Sequence, residues 1–191
     1  MNISDRSLIR DTIANGGMNE SVSNRLKDYI KQAETAGVDA IIVTCSSLGP
    51  AVEESQSAVS IPLIRVDSAM VNLAVKTGSR IGVLATVSTT LKPTVELIER
   101  RAKQSGKKVE VTSCLCHGAL EKLLAGEVDE HDQMVIANLL GLISTVDVVV
   151  LAQASMARVI QCLPHSSCKI PILSSPRLAI ESLAKQFRRT A

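Results

Sequence analysis

Apolar residues in this chain fall into short unbroken runs separated by longer stretches of helical period. Ala40–Val43, Ile81–Ala85 and Val146–Ala152 are apolar blocks of strand length, the pattern of strands buried on both faces. Leu63–Val66 and Ile172–Leu173 each follow an Ile-Pro step, and Val109–Leu115 alternates more. Between them, Val22–Ala36, Leu91–Gln104 and Asp129–Ser144 space their apolar residues as amphipathic helices do. Asn19 and Asp129 stand where N-caps belong, and Pro93 signals a helix start. Gly37 and Gly106 sit where helices end, and Gly16-Gly17 reads as a turn between helices. Strands alternating with helices predict an α/β fold with parallel sheets.

The pattern also repeats. Val38-Asp39-Ala-Ile-Ile-Val-Thr44-Cys45-Ser46-Ser47 lines up with Val146-Asp147-Val-Val-Val-Leu-Ala152-Gln153-Ala154-Ser155 at an offset of 108 residues (39 to 147, 45 to 153). Ile61-Pro62-Leu63-Ile64 matches Ile170-Pro171-Ile172-Leu173 at an offset of 109. Each copy is strand, tight loop, helix, then Ile-Pro and another strand. Two pseudo-symmetric parallel-sheet domains with flanking helices are the predicted architecture, with the ligand site in the cleft between them, beyond the carboxyl ends of the strands. That places Cys45 and Gln153 at equivalent positions on opposite sides of one cleft. Extended backwards, the repeat pairs Val109–Leu115 with the region near Met1–Ser7 and leaves Arg80–Lys108 without a counterpart. By symmetry the first half is short by one βα unit, about 30 residues.

Composition narrows the function. The 191 residues include one Tyr, one Phe and no Trp, which leaves no stacking platform for single-stranded nucleic acid and no aromatic cage for a cation. A net charge of +2 gives no electrostatic footprint for nucleic acid or an anionic membrane, and Lys185, Arg188 and Arg189 read as a solvated helix end. No apolar run reaches the length of a membrane span, and Met1–Arg10 is too polar for a signal peptide. The expected location is the cytoplasm, where five cysteines read as thiols. Neither GxGxxG nor GxxxxGK[ST] occurs, so dinucleotide and P-loop readings lack their fingerprints.

Three segments carry candidate chemistry. Thr44-Cys45-Ser46-Ser47-Leu48-Gly49 stands where a strand ends and a helix begins, a position that favours thiolate and offers N–H groups to a carboxylate. Such a pairing fits proton abstraction beside a carboxylate or attack by sulfur. A cysteine there is equally a small hydrophobe, and spacing alone leaves both readings open. Thr86, Ser88, Thr89 and Thr90 follow another strand and serve either to bind an anion or to cap a helix. Cys114, Cys116 and His117, with Cys162, His165 and Cys168, do not fit structural zinc spacing, and no metal site is expected. His131-Asp132, in the first turn of a helix, reads as surface.

Taken together, the T-C-S-S loop, the Ile81–Thr90 strand and hydroxyl loop, the segment from Val148 to Met156, and Pro171-Ile172-Leu173-Ser174-Ser175-Pro176 resemble the aspartate/glutamate/hydantoin racemase superfamily. The resemblance covers Ile3 to Leu183. It implies two related α/β domains, the second inserted in the first, at 1–78 plus 173–191 and 79–172, with the C-terminal helix packed on the first. It further implies cofactor-independent chemistry on a small carboxylate, an amino acid or hydantoin-like compound, and a homodimer. In the family two cysteines exchange protons with opposite faces of the substrate. Cys45 matches the first, while Gln153 stands at the second. Thr44, Ser46 and Ser47, then Thr86, Thr89 and Thr90, then Ala154 and Ser155, match the substrate-binding positions. Gln153 and the short N-terminus are the departures from the pattern. They keep open a single-thiol decarboxylase or cis–trans isomerase, and a small-molecule-binding relative without activity.

Overall fold

The computed structural model describes residues 1–163 and 169–190; the side chains of Arg189 and Thr190 lie outside that set. By density of contacts the chain divides into Met1–Val66 and Asp67–Ala191. This division follows packing, whereas the expected division at 1–78 plus 173–191 and 79–172 is the one the family resemblance implies.

In Met1–Val66, helices α1 (Arg6–Ala14) and α2 (Glu20–Thr35) precede strand β1 (Ile41–Val43). A single 3-10 turn over Ser46–Leu48 then runs into α3 (Gly49–Ser55), and β2 (Leu63–Arg65) pairs with β1 in parallel. Asn19 caps α2 as its sequence predicts, its side chain accepting from Val22 N–H at 3.0 Å. Gly37, just past the helix end, takes φ +75°, which an L side chain adopts only with strain. Leu8, Val22, Leu26, Ile30, Leu48, Ala51, Val52 and Leu63 form the core. Met1–Asp5 carries no strand, so the predicted counterpart of Val109–Leu115 is not found there.

In Asp67–Ala191 a four-stranded parallel sheet is ordered β4-β3-β5-β6, from β3 (Arg80–Ala85), β4 (Glu110–Leu115), β5 (Val148–Leu151) and β6 (Ile172–Ser174). One face is covered by α4 (Ser68–Thr77) and α5 (Ser88–Gln104), which bury Met70, Val71, Leu97 and Ile98 against Ile81, Val83, Val148 and Val150. On the other face α6 (Ala119–Leu124), α7 (Val128–Ile143) and a 3-10 helix over Ala154–Cys162 pack Val135, Leu139, Met156 and Val159 onto Leu84, Val149 and Leu151. The chain's last helix, α8 (Ser175–Thr190), packs on α4, and Lys185 and Arg188 near its end are exposed. No helix among the described residues is long and apolar enough to cross a membrane.

The fold is α/β, with parallel sheets flanked by helices, and the repeat is visible in its hydrogen bonding. Ile41 pairs with Leu63 in one copy and Val149 with Ile172 in the other, positions 108 and 109 residues apart. Ile41 N–H donates to the carbonyl of Pro62, and Val149 N–H to that of Pro171. Two helix starts differ from expectation. α5 begins at Ser88, which puts Pro93 inside it, where the ring forgoes the one bond its N–H would give to Thr89. α7 begins at Val128 with Glu127 as N-cap, so Asp129 lies in the first turn and meets the positive end of the helix there.

Candidate active site

Cys45 leaves β1 in extended conformation (φ −114°, ψ 112°) as the N-cap of the 3-10 turn Ser46–Leu48. Its carbonyl accepts Leu48 N–H at 3.1 Å, which closes the turn. The thiol is half-buried, Thr44 is exposed, and Ser46 and Ser47 are buried. N–H groups at the start of such a turn point back along its axis, towards the residue that carries the sulfur. A nucleophile or base is thereby set beside donors able to hold an oxyanion.

Gln153 occupies the corresponding place in the second copy. It leaves β5 with φ −124° and ψ 137° as the N-cap of the next 3-10 helix, and its carbonyl accepts Met156 N–H at 3.1 Å. Two copies of one turn thus present different side chains from the same backbone. Gln153 is tied down, because its Oε1 accepts Thr86 N–H at 2.6 Å and its Nε2–H donates to Thr86 Oγ1 at 2.8 Å. A backbone N–H faces only an oxygen, so this contact fixes which way the amide lies. Neither group of a neutral amide exchanges a proton in the physiological range.

The hydroxyl loop after β3 divides by role. Thr86 is bound to Gln153, Thr89 is buried with its Oγ1 lacking a hydrogen-bond partner, and the carbonyl of buried Thr90 accepts the Thr94 hydroxyl. Ala154 and Ser155 are exposed beside Gln153. Each unit therefore assembles its own set: Thr44, Cys45, Ser46 and Ser47 in one, Thr86 and Gln153 in direct contact in the other.

Cys114 and Cys116 do lie towards one face, both packed in the cluster under α6 and α7. Burial, and then the neighbouring Cys114, push the Cys116 thiol up to about 12, so it stays protonated and inert. Cys114 is also raised by burial, and its Sγ–H donates to Asn138 Oδ1 at 3.4 Å. Among the described residues no three His, Cys, Asp or Glu side chains gather to hold a metal; His165 and Cys168 lie outside them.

Two features were not foreseen. His131 is fully buried instead of at the surface, its Nδ1 2.8 Å from Asp132 Oδ1. Asp132 is gripped by Arg158 of the 3-10 helix, with Nε 3.0 Å from both carboxylate oxygens and Nη2 2.9 Å from Oδ1. Burial raises the Asp132 carboxyl, but the bonds from Arg158 and His131 prevail and hold it below its ordinary range. The second feature is Arg65, a cation only 2% exposed at the end of β2. A charged residue inside an otherwise apolar Leu-Ile-Arg-Val run was the available signal, as was Ser174 at its place in the other copy.

The sequence profile of the family described as Asp/Glu/Hydantoin racemase matches residues 3–183. No curated protein sequence matches the chain. Among solved structures, a glutamate racemase isoform from Bacillus anthracis is similar at 20% identity with a TM-score of 0.71, over 90% of this chain and 66% of that one. An allantoin racemase from Klebsiella pneumoniae is similar at 16% identity with a TM-score of 0.66, over 88% of this chain and 67% of that one. Arylmalonate decarboxylase is similar at 11% identity with a TM-score of 0.55, over 87% and 76%. The chain thus spans about two thirds of the length of the two racemases. At these identities the likeness is one of fold.

Proposed function

The chain belongs to the Asp/Glu/hydantoin racemase family, and from that premise we propose that it is an isomerase-type enzyme that moves a proton at the carbon beside a small carboxylate. Cys45 is the group that moves it. The thiolate removes the α-proton, and the electron pair left on carbon spreads onto the adjacent carboxylate, whose oxygens gain charge. Donors at Ser46 and Ser47 answer that charge as it develops, the interaction that lowers a barrier most. The reaction needs no cofactor, the carboxylate being its own electron sink, and a reducing cytoplasm keeps the thiol available.

The observation that carries this reading is the matched pair of turns. The backbone that presents Gln153 presents Cys45 in the same conformation, with the same closing bond. The substrate is an amino acid or hydantoin-like compound; a Francisella tularensis glutamate racemase of this fold has been solved with D-glutamate. The test is a panel of such carboxylates in deuterated water. Cys45→Ser should lower turnover on the best substrate by about 100- to 10,000-fold, the usual worth of a general acid–base group. Unchanged turnover in that variant would remove Cys45 from the chemistry.

The tie between Gln153 and Thr86 favours a second reading within the same class. With the amide bonded to Thr86 and no second thiol at that position, one sulfur handles the proton, as suits a decarboxylase or a cis–trans isomerase. Deuterium then enters with a single configuration. A racemase instead labels the α-carbon in both enantiomers. Gain of racemisation in Gln153→Cys would identify position 153 as a vacated proton-transfer site.

A further inference from the structure

The small net charge conceals an uneven distribution. Between Glu99 and Glu110 the chain carries Arg100, Arg101, Lys103, Lys107 and Lys108 against those two carboxylates, a local excess of three positive charges. That stretch ends α5 and leads into β4, and Lys76 lies in the last turn of α4. The ends of the two helices border an open cleft of about 400 Å³, lined by Asn72, Val75, Lys76, Arg101, Ser105 and Lys107. Three of the six are cations and none is acidic. Because α4 leads into the start of β3 and α5 into that of β4, the cleft lies at the amino ends of these strands. Thr86 and Gln153 follow the carboxyl ends of β3 and β5, at the opposite edge of the sheet.

Helix polarity accounts for part of this charge. The last carbonyls of a helix carry about half a negative charge, and Lys107 Nζ–H donates to two of them, those of Val75 and Lys76. Two helix ends thus answer about one of the three positive charges. Among the described residues no carboxylate pairs with Lys76, Arg101 or Lys107. Arg101 Nη1–H donates to a neutral acceptor, Gln104 Oε1, at 3.0 Å, and its Nε is shielded from water without a hydrogen-bond partner. Capping of the helix ends needs Lys107 alone. Holding Lys76 and Arg101 around the same cleft costs free energy through repulsion, and a resident anion recovers it.

We propose that this cleft binds a phosphoryl dianion, carried by a small organic phosphate or present as free phosphate. The unanswered charge of about two sets the charge of the ligand. A phosphoryl group concentrates that charge on oxygens that a guanidinium meets two at a time, whereas a dicarboxylate divides it between two separated ends. Arg101 supplies the planar fork, Lys76 a point charge, and Lys107 the one N–H its two carbonyl bonds leave over. Asn72 adds a neutral amide and Val75 an apolar wall, where the group esterified to the phosphate has room to lie. The site does not depend on the chemistry assigned to Cys45.

Calorimetric titration of the full chain tests this, with phenyl phosphate, inorganic phosphate and succinate as probes at one ionic strength. A pH of about 8 keeps the phosphoryl group dianionic, its second pKa being about 6. One phenyl phosphate should bind per chain, and Arg101→Gln and Lys76→Gln should each weaken it about tenfold, the usual worth of a hydrogen bond to a charged group. Lys103→Gln removes the same charge from the same helix end, outside the cleft, and should change affinity less than about twofold because solvent screens it. Succinate should bind at least about tenfold more weakly than phenyl phosphate, since it cannot close the fork. Tighter binding of phenyl phosphate than of inorganic phosphate identifies an organic phosphate as the ligand, and equal binding identifies free phosphate; both support the site. Affinity weaker than about 10 mM, succinate binding as well as phosphate, or an equal loss in Lys103→Gln overturns it. Binding that ignores Arg101→Gln or Lys76→Gln also overturns it, because the anion then sits elsewhere. If Arg101→Gln does not fold, by circular dichroism, Lys76→Gln decides, its side chain being exposed.

Discussion

Gln153 shows how one residue can exchange a chemical role for a mechanical one. Its amide gives the N–H of Thr86 a 2.6 Å acceptor at the point where β3 has ended and the sheet supplies no further partner. Truncation should therefore register in stability as well as in any activity. Gln153→Ala is expected to lower unfolding free energy in urea by about 1–3 kcal/mol, the cost of leaving a poorly solvated N–H unpaired. An unchanged midpoint would mean that water replaces the amide. At the same scale, the contrast between Cys45 and Cys116 is one of surroundings. The first is half-buried where the chain leaves β1 for the Ser46–Leu48 turn, whereas the second is 1% exposed among Leu84, Ala119 and Val135.

At the scale of elements, charged side chains fasten the ends of strands that apolar packing alone would leave to fray. Asp147, just before β5, accepts the N–H groups of Ser79 and Arg80 at 3.0 and 2.9 Å and the fork of Arg80 besides. The Arg80 backbone and side chain, followed by the Ser79 N–H, hold its carboxyl down from 3.8 to about 2. A carboxyl depressed in the folded state stabilises at every pH above its unfolded value and loses that contribution as pH falls through its folded value. Asp147→Asn should thus lower the thermal midpoint at neutral pH and flatten the decline of the midpoint between about pH 4 and 2 relative to the parent. Parallel acid profiles for the two proteins would refute the role.

Elements also differ in how openly the sequence declared them. β4, Glu110–Leu115, showed itself only by its alternation, whereas β1, β3 and β5 were legible because Val, Ile and Leu dominate them, the pattern of strands between covering helices. α4 was not, since Ser68–Thr77 follows the apolar run of β2 with only Val66 and Asp67 between and no glycine or proline to divide them. α6 is six residues long, too short for its period to show. The equivalence of Cys45 and Gln153 came straight from the repeat. The bond between Gln153 and Thr86 did not, because it spans 67 residues and exists only once β5 is laid beside β3. The burial of Arg65 was hidden in the same way, because its guanidinium lies against Gly49, sixteen residues earlier, only in the folded chain.

For the whole molecule, the two units are built on unequal sheets. β3 lies between two parallel neighbours and, with β5, is almost fully buried, while among the described residues β1 and β2 pair only with each other and β1 is half-exposed. Cooperative stability follows burial and the number of strands that must part together. Hydrogen exchange should find the slowest amides in Ile81–Leu84 and Val148–Leu151, with Ile41–Val43 and Leu63–Arg65 exchanging well before them; uniform protection would contradict this ordering. The matched register of β1–β2 and β5–β6 has a practical consequence. A molecule that holds one turn twice is its own calibration standard. A thiocyanate installed on Cys45, and on a cysteine substituted for Gln153, would place the same vibrational reporter on two superimposable backbones within one chain. Any difference between their nitrile frequencies would then measure the electric field of the surroundings, free of the turn itself.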